Sequence, residues 1–277
     1  AHMRGYQELW SKGIKAFDIV AACDIDASRA EERATQAHEF QGGTKPAVYT
    51  EVEEMLSKHS DLDCVDICAL HSAHHTLAVT ALEAGKHVII EKPLGITMRA
   101  CKLILDAAEK NGCILSVAEN YRLDRLQRAR RWAVRQGRIG DPRMFFWIEV
   151  SEGLGKWSWR NFKMDAGGGW VLDGGVHFTD LMRFILDAEA EEVYAINKAY
   201  EPCGIEDTVA IELKYFADAI MTGDKPEVDG IEGMKSEAIC MAIYESGWHG
   251  RPVTLAEIES CELEGYQGEI NDKLGIA

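Results

Sequence analysis

The sequence predicts a doubly wound parallel α/β layer followed by an α+β half built on an open sheet. Helix and strand patterns alternate strictly up to about residue 122, the signature of parallel strands joined by helical crossovers. Beyond that point strands and helices no longer alternate. The 277 residues also suffice for about two domains at roughly 100 to 200 residues each. The expected domains are 1–122 and 123–277.

The elements follow in order. Met3, Tyr6 and Trp10 share one helical face that ends at Gly13, and Phe17 to Cys23 is an apolar run closed by Asp24. Helix composition runs from Ser28 to Phe40, and Thr50 with Glu53 matches a capping box for the next helix. Cys64 to Leu70 reads as a strand, His75 to Leu82 as a helix stopped by Gly85, and His87 to Ile90 as a strand running into Glu91-Lys92-Pro93. A helix from Thr97 to Gly112 and a strand over Ile114 to Ala118 complete the first half. In the second half, Met144 to Val150, Val193 to Ala199 and Thr208 to Leu213 read as strands, and Trp170 to Leu186 as one amphipathic helix after Gly167-Gly168-Gly169. Two points are discontinuous. The chain opens in helix interior, without the strand and glycine-rich turn expected first, and Leu213 passes into a helix pattern at Lys214-Tyr215-Phe216-Ala217 with no turn residue. The sequence therefore predicts missing segments before residue 1 and between 213 and 214.

Composition excludes several classes. A formal charge of −16 repels phosphate backbones, so no nucleic-acid partner is expected. The arginine-rich stretch from Arg122 to Arg138 has helical periodicity and reads as a solvated face beside acidic surface. No apolar run approaches the ~20 residues of a membrane span. The eight cysteines lack disulfide-scaffold spacing, which points to reduced thiols and a cytoplasmic setting. Cys68 with His71, His74 and His75 lacks a second ligand group, so no metal is expected.

Asp24, at the carboxyl end of a strand, suits a carboxylate that binds a ribose diol and repels a 2′-phosphate, although an ordinary turn or capping role is equally open. Lys92 also stands at a strand's carboxyl end, where open α/β sheets bind ligands, and Pro93 holds it out of helical conformation. Its ammonium suits a substrate oxygen. Asp173 and His177 lie four apart on one expected helix face. Oxidising an alcohol requires a proton acceptor, and histidine ordinarily titrates near neutrality. His177 is the expected base, with Asp173 orienting the imidazole or accepting from a substrate hydroxyl. The triple glycine admits either close backbone approach to a ligand or a plain flexible loop.

Together these pieces resemble the Gfo/Idh/MocA family of oxidoreductases. The resemblance rests on Ala81 to Val88 running into Glu91-Lys92-Pro93, on Gly167-Gly168-Gly169 with Asp173 and Gly175-Val176-His177, and on Phe216 to Ile220 with Gly223 to Gly230. It implies a Rossmann-type domain followed by a domain whose open sheet faces the cofactor and packs against another subunit in a homo-oligomer. It also implies that Lys92 contacts nicotinamide ribose and substrate, that His177 is the acid/base, and that Asp173 holds the sugar. Glu91, Ser72 and His75 would line the dinucleotide groove, and Asn120, Trp159 and Arg160 would lie near the nicotinamide. Tyr121 and Trp157 would be sugar-stacking aromatics, with core packing at least as good a reading. The chain departs from the family where Leu70-His71-Ser72 replaces the common Thr-Pro-Asn, adding a histidine beside the expected dinucleotide.

The resulting expectation is an NAD(P)-dependent oxidoreductase, NAD favoured over NADP, that transfers a hydride at a carbinol carbon of a sugar, sugar derivative or cyclitol. Two alternatives are an NAD-dependent glycosidase of the same fold and a non-catalytic dinucleotide-binding sensor.

Overall fold

The computed structural model describes residues 2–15, 17–149, 159–198, 205, 228–277 and the backbone of 208–216. The chain forms two compact units, Ala1–Asp63 and Cys64–Ala277. Trp157, Cys203 and the segment from Ala217 through Gly223, all singled out in the sequence, lie outside the described residues.

In the first unit, helix α1 (His2–Ser11) sets Tyr6 and Trp10 on Phe17, with ring centroids 4.8 and 6.0 Å apart. Strand β1 (Ala21–Cys23) pairs in parallel with β2 (Ala47–Tyr49). The crossover α2 (Ala27–Gln41) is N-capped by Asp26 and buries Ala30, Ala34 and Ala37, the small-residue stripe that lets a helix lie close to a neighbour. Helix α3 (Val52–Lys58) buries Met55 and Leu56. The expected Thr50–Glu53 capping box does not form. The N-cap is Glu51, one residue later than the pattern required, so Thr50 stands outside the helix.

The second unit opens with β3 (Cys64–Ile67), β4 (His87–Ile90) and β5 (Leu115–Val117), all parallel in the order β3-β4-β5. The crossovers are α4 (His74–Glu83), after a 3-10 turn at His71–Ala73, and α5 (Met98–Lys110), whose Thr97 cap accepts from the Ala100 N–H at 3.2 Å. Leu82, Val88, Ile90, Ile104 and Leu115 form the core between them. A 3-10 turn at Asn120–Leu123 leads into the arginine-rich α6 (Arg125–Arg135). Arg131 and Arg135 meet Asp187 at 2.6 and 2.9 Å, so part of that basic face is spent on acidic surface, as expected.

The segment 144–149 forms no strand. It has the alternation of one, but no ladder partner among the described residues; Trp147 instead packs on Phe178 at 4.1 Å, while Met144, Phe146 and Ile148 point outward. A short helix α7 (Lys163–Ala166) precedes the glycine run. The single helix expected over 170–186 is two windings, a π-helical turn at Val171–Gly175 and α8 (Val176–Leu186).

Strand β6 (Glu189–Lys198) lies between β7 (Thr208–Phe216) and β8 (Val253–Thr254), antiparallel to both. The helix expected from Lys214 is overturned through Phe216. Lys214, Tyr215 and Phe216 pair with Glu192, Ala190 and Glu189, and the extra residue of the register shift at Ala190/Glu192 lies on β6. Helix α9 (Gly230–His249) starts where Val117 N–H bonds to the Val228 carbonyl at 3.1 Å. Gly233 lets it approach β5 so closely that a Cβ there would stand 2.6 Å from Val117. Helices α10 (Leu255–Glu259) and α11 (Gly268–Leu274) close the chain. No described helix is long and apolar enough to cross a membrane.

Candidate active site

Strand β4 delivers Glu91 and Lys92 at its carboxyl end, with the Glu91 N–H held by the Ile67 carbonyl at 2.9 Å. The Lys92–Pro93 bond is cis, and the buried His74 donates its Nδ1–H to the Pro93 carbonyl at 2.7 Å. Lys92 is thereby fixed at its root. Its ammonium donates to the backbone carbonyl of Asp173 and, at 3.2 Å, to Asp173 Oδ1. Two of its three protons are engaged.

Asp173 sits in the π-helical turn and receives more than Lys92. Arg160 Nε donates to the same Oδ1 at 3.3 Å, and His71 Nε2 stands 3.8 Å from it. Burial alone would raise this carboxyl, but the charges of Lys92 and Arg160 outweigh it and hold the pKa below the usual value. His71, the residue that departs from the family pattern, is buried, donates Nδ1–H to the Ala166 carbonyl at 3.1 Å, and meets the Trp159 ring edge-on at 4.7 Å. Burial, then the neighbouring His74, pushes it down to about 3, so its imidazole is neutral at physiological pH. The Arg160 guanidinium covers the Trp159 ring at 4.4 Å.

His177 has a different partner from the one the sequence proposed. Its Nδ1 lies 2.7 Å from both carboxylate oxygens of the buried Glu119, and Tyr121 stacks on the imidazole face at 4.0 Å with planes 6° apart. Asp173 does not orient this ring. Asp173 is taken up by Lys92 and Arg160, and the orienting carboxylate comes from just past the end of β5 instead. Lys92 and Glu119 nevertheless border one small cavity, together with Val117, Val176, Asp180 and Ser236. Lys92 and the residue that holds the imidazole therefore border a common space.

The remaining expected residues are placed as follows. Asn120 is exposed at the start of the 3-10 turn beside Glu119, and Trp159 and Arg160 are half-buried against His71 and Asp173. Ser72 lies in the turn before α4, whereas His75 is buried with Nε2 3.3 Å from Thr76 Oγ1, and burial lowers its pKa. Asp24, in the other unit, follows β1 and accepts the Asp26 N–H on Oδ1 at 2.9 Å. The triple glycine is a packing device. Gly167 has φ +84° and lies so close to Ile96 that a Cβ would stand 2.6 Å away, and a Cβ on Gly168 would overlap the Tyr244 hydroxyl.

A family model described as the oxidoreductase family with an NAD-binding Rossmann fold matches residues 2–119, and the Gfo/Idh/MocA C-terminal domain matches 126–224. The chain belongs to the Gfo/Idh/MocA family. It is 32% identical over 231 residues to 1,5-anhydro-D-fructose reductase of Ensifer adhaerens, covering 78% of this chain and 67% of that protein. It is 29% identical over 279 residues to D-apiose dehydrogenase of Paraburkholderia graminis, covering 98% and 68%. Several further relatives are spanned over only about 56% of their length. Among solved structures, the WlbA dehydrogenase of Bordetella pertussis, in complex with NADH and UDP-GlcNAcA, superposes with a TM-score of 0.73 at 20% identity, over 91% of this chain and 94% of that one. At that identity the likeness speaks for the fold.

As a Gfo/Idh/MocA oxidoreductase the chain implies a nicotinamide dinucleotide, and the donor chemistry present fits one. Asp24 has a carboxylate oxygen outside its bond to Asp26, suited to ribose hydroxyls. Lys92, Asn120 and Arg160 carry N–H donors, the first two just past strands β4 and β5. Reading the sequence missed Glu119 as the partner of His177 and His71 as a neighbour of Asp173. The only signal for Glu119 was its position two residues beyond β5, next to Asn120 and Tyr121; His71 was marked only by its departure from the family pattern.

Proposed function

We propose that this Gfo/Idh/MocA chain is an NAD-dependent dehydrogenase acting on a secondary hydroxyl of a sugar, sugar derivative or cyclitol. The observation that carries the reading is Glu119, which holds His177 at 2.7 Å and borders the same cavity as Lys92. With Nδ1–H given to a carboxylate, a neutral imidazole has its lone pair on Nε2, the form that takes a hydroxyl proton. Lys92, with one N–H beyond its two bonds to Asp173, stabilises the oxygen as it becomes a carbonyl. Asp173 Oδ2 takes no part in the contacts to Lys92, Arg160 and His71 and accepts from a neighbouring substrate hydroxyl. The dinucleotide, when bound, supplies the hydride acceptor. Asn120, Trp159 and Arg160, with Glu91, Ser72 and His75, make its nicotinamide-side contacts, and Tyr121 serves both as a lid on His177 and as a face for sugar C–H groups.

Asp24 supports NAD over NADP, since a carboxylate there repels a 2′-phosphate. The names of the relatives, a reductase of an anhydro-sugar and a dehydrogenase of a branched pentose, support the carbohydrate class. In this reading residues 1–122 bind the dinucleotide and 123–277 the substrate, and Tyr194 and Ile196, exposed on β6, belong to a sheet face that pairs with a second copy. The seven described cysteines form no disulfide with one another, which supports the cytoplasm.

The test is a panel of sugars and cyclitols with NAD and NADP, read by absorbance of the reduced nicotinamide. At least one polyol should drive NADH accumulation, and His177→Ala should abolish it while NADH still binds, as seen by fluorescence. Near-normal turnover in that variant overturns the assignment of the base. Release of free sugar from glycosides without net NADH marks the glycosidase instead.

A further inference from the structure

Behind the dyad lies a buried cluster of charge that the reaction does not touch. Arg122 grips Asp180 side-on with one edge of its guanidinium, Nε to Oδ2 at 2.7 Å and Nη2 to Oδ1 at 2.6 Å, and reaches Glu232 at 3.1 Å. Ser236 donates to Asp180 Oδ1 at 2.9 Å. Arg183 bonds Ser236 at 2.9 Å, Glu232 at 3.1 Å and Glu189 at 2.6 Å, and Lys235 meets Glu189 at 3.1 Å. Three cations face three carboxylates, so the cluster is internally neutral. Arg122, Arg183 and Asp180 are almost fully buried.

A buried ion pair is a poor way to gain stability, because desolvation offsets most of the attraction, and apolar residues of similar size often do as well. Its distinctive property is direction: a bidentate guanidinium–carboxylate pair fixes distance and plane at once. Here that direction falls on the catalytic geometry. Glu119, Tyr121 and Arg122 belong to one short stretch, and all three meet a single turn of α8: Glu119 and Tyr121 at His177, and Arg122 at Asp180, one turn further along. Asp180 and Glu119 also border the same cavity as Lys92.

We propose that the Arg122–Asp180 pair is a positioning device that sets the register between residues 119–123 and α8, and so holds the His177 imidazole between its carboxylate and the Tyr121 ring. Neither residue touches substrate. The proposal rests on His177 acting as the base, but its geometric content is separable from that role.

The experiment uses Arg122→Lys, which keeps the charge but cannot bridge both oxygens, and Asp180→Asn, which keeps the shape but not the charge. The full chain, labelled with 15N-histidine, is followed by NMR through the Nδ1–H signal of His177, assigned by its loss in His177→Ala. Both variants should lose the strongly hydrogen-bonded, downfield signal. With the substrate chosen by the panel, kcat should fall about 10- to 100-fold, the scale of a misplaced catalytic group, while KM and NADH affinity stay within about twofold. A variant whose melting temperature drops while the His177 signal and kcat are unchanged overturns the proposal, because the pair then serves stability alone. If either substitution prevents folding, Glu232→Gln trims the cluster from its more exposed side. It should weaken the signal and lower kcat several-fold, and an unchanged signal with unchanged kcat counts against the proposal. Activity surviving in His177→Ala would sink the assigned base, while the NMR result would still decide the positioning claim.

Discussion

Glu237, on α9, is wholly buried, and neither of its carboxylate oxygens has a hydrogen-bond partner among the described residues. Burial drives its pKa well above the ordinary 4.5, against a smaller opposing pull from Lys92. The folded chain therefore carries this group protonated where the unfolded chain has it ionised. A raised carboxyl contributes stability that is complete below its unfolded pKa and is lost as pH rises toward the folded one. The loss is one proton's worth, about 1.4 kcal/mol per pH unit. Glu237→Gln keeps the shape and removes the titration. For each pH unit above the unfolded pKa over which the folded group stays protonated, the wild type should lose about 1.4 kcal/mol relative to the variant. For a chain of 277 residues, with an unfolding entropy near 2.1 cal/mol/K per residue, that is about 2–3 °C in Tm. The assay is thermal unfolding of both proteins at pH values above the unfolded pKa, with the difference in Tm plotted against pH. Parallel curves would mean that Glu237 is ionised in the fold, and the argument from its burial would be wrong.

Other substitutions probe other joints of the site. Glu119→Gln should offer the imidazole an N–H in place of a second acceptor, favouring the wrong tautomer and lowering kcat by on the order of 10²–10⁴-fold, as the same swap does in a hydrolase triad; steady-state kinetics decide it. Gly168→Ala should cost about 3 kcal/mol, because its Cβ meets the ring and hydroxyl of Tyr244. Tyr244→Phe should rescue it only partly in thermal melts, since the ring itself is still in the way. Asp173 is held below its usual pKa, so its stabilising contribution is present above about pH 4 and lost as pH falls through the folded value. Asp173→Asn should therefore melt below the wild type at neutral pH, and the gap should close on acidification below pH 4.

The parallel layer was legible because each of its features is local. His87 to Ile90 is a strand at the residues its apolar run marked, and Thr97 caps α5 as its position predicts. Lys92 and Asp173 were legible through motif and meet in space. What escaped was set by tertiary contact. The partner of His177 is 58 residues away on the far side of a strand end, and no periodicity reports such a distance. The triple glycine read as either a close approach to a ligand or a loop because the side chains that meet a Cβ there include Ile96 and Tyr244, about 70 residues to either side. Lys214 to Phe216 read as helix because what makes them a strand is pairing with Glu192, Ala190 and Glu189 in another segment, which local pattern does not report.

The widened winding at Val171–Gly175 has a consequence for how this site can change. Such a turn holds one residue more than an α-helix needs. Shedding Gly174 would remove that residue and restore regular winding with α8 and the segment before it still in phase, so the change would fall on the turn itself, where Asp173 sits. Asp173 would leave Lys92, while His177, downstream, would keep its carboxylate. A one-residue deletion would thus break the Lys92–Asp173 contact and spare the His177–Glu119 one, so the two contacts can change independently.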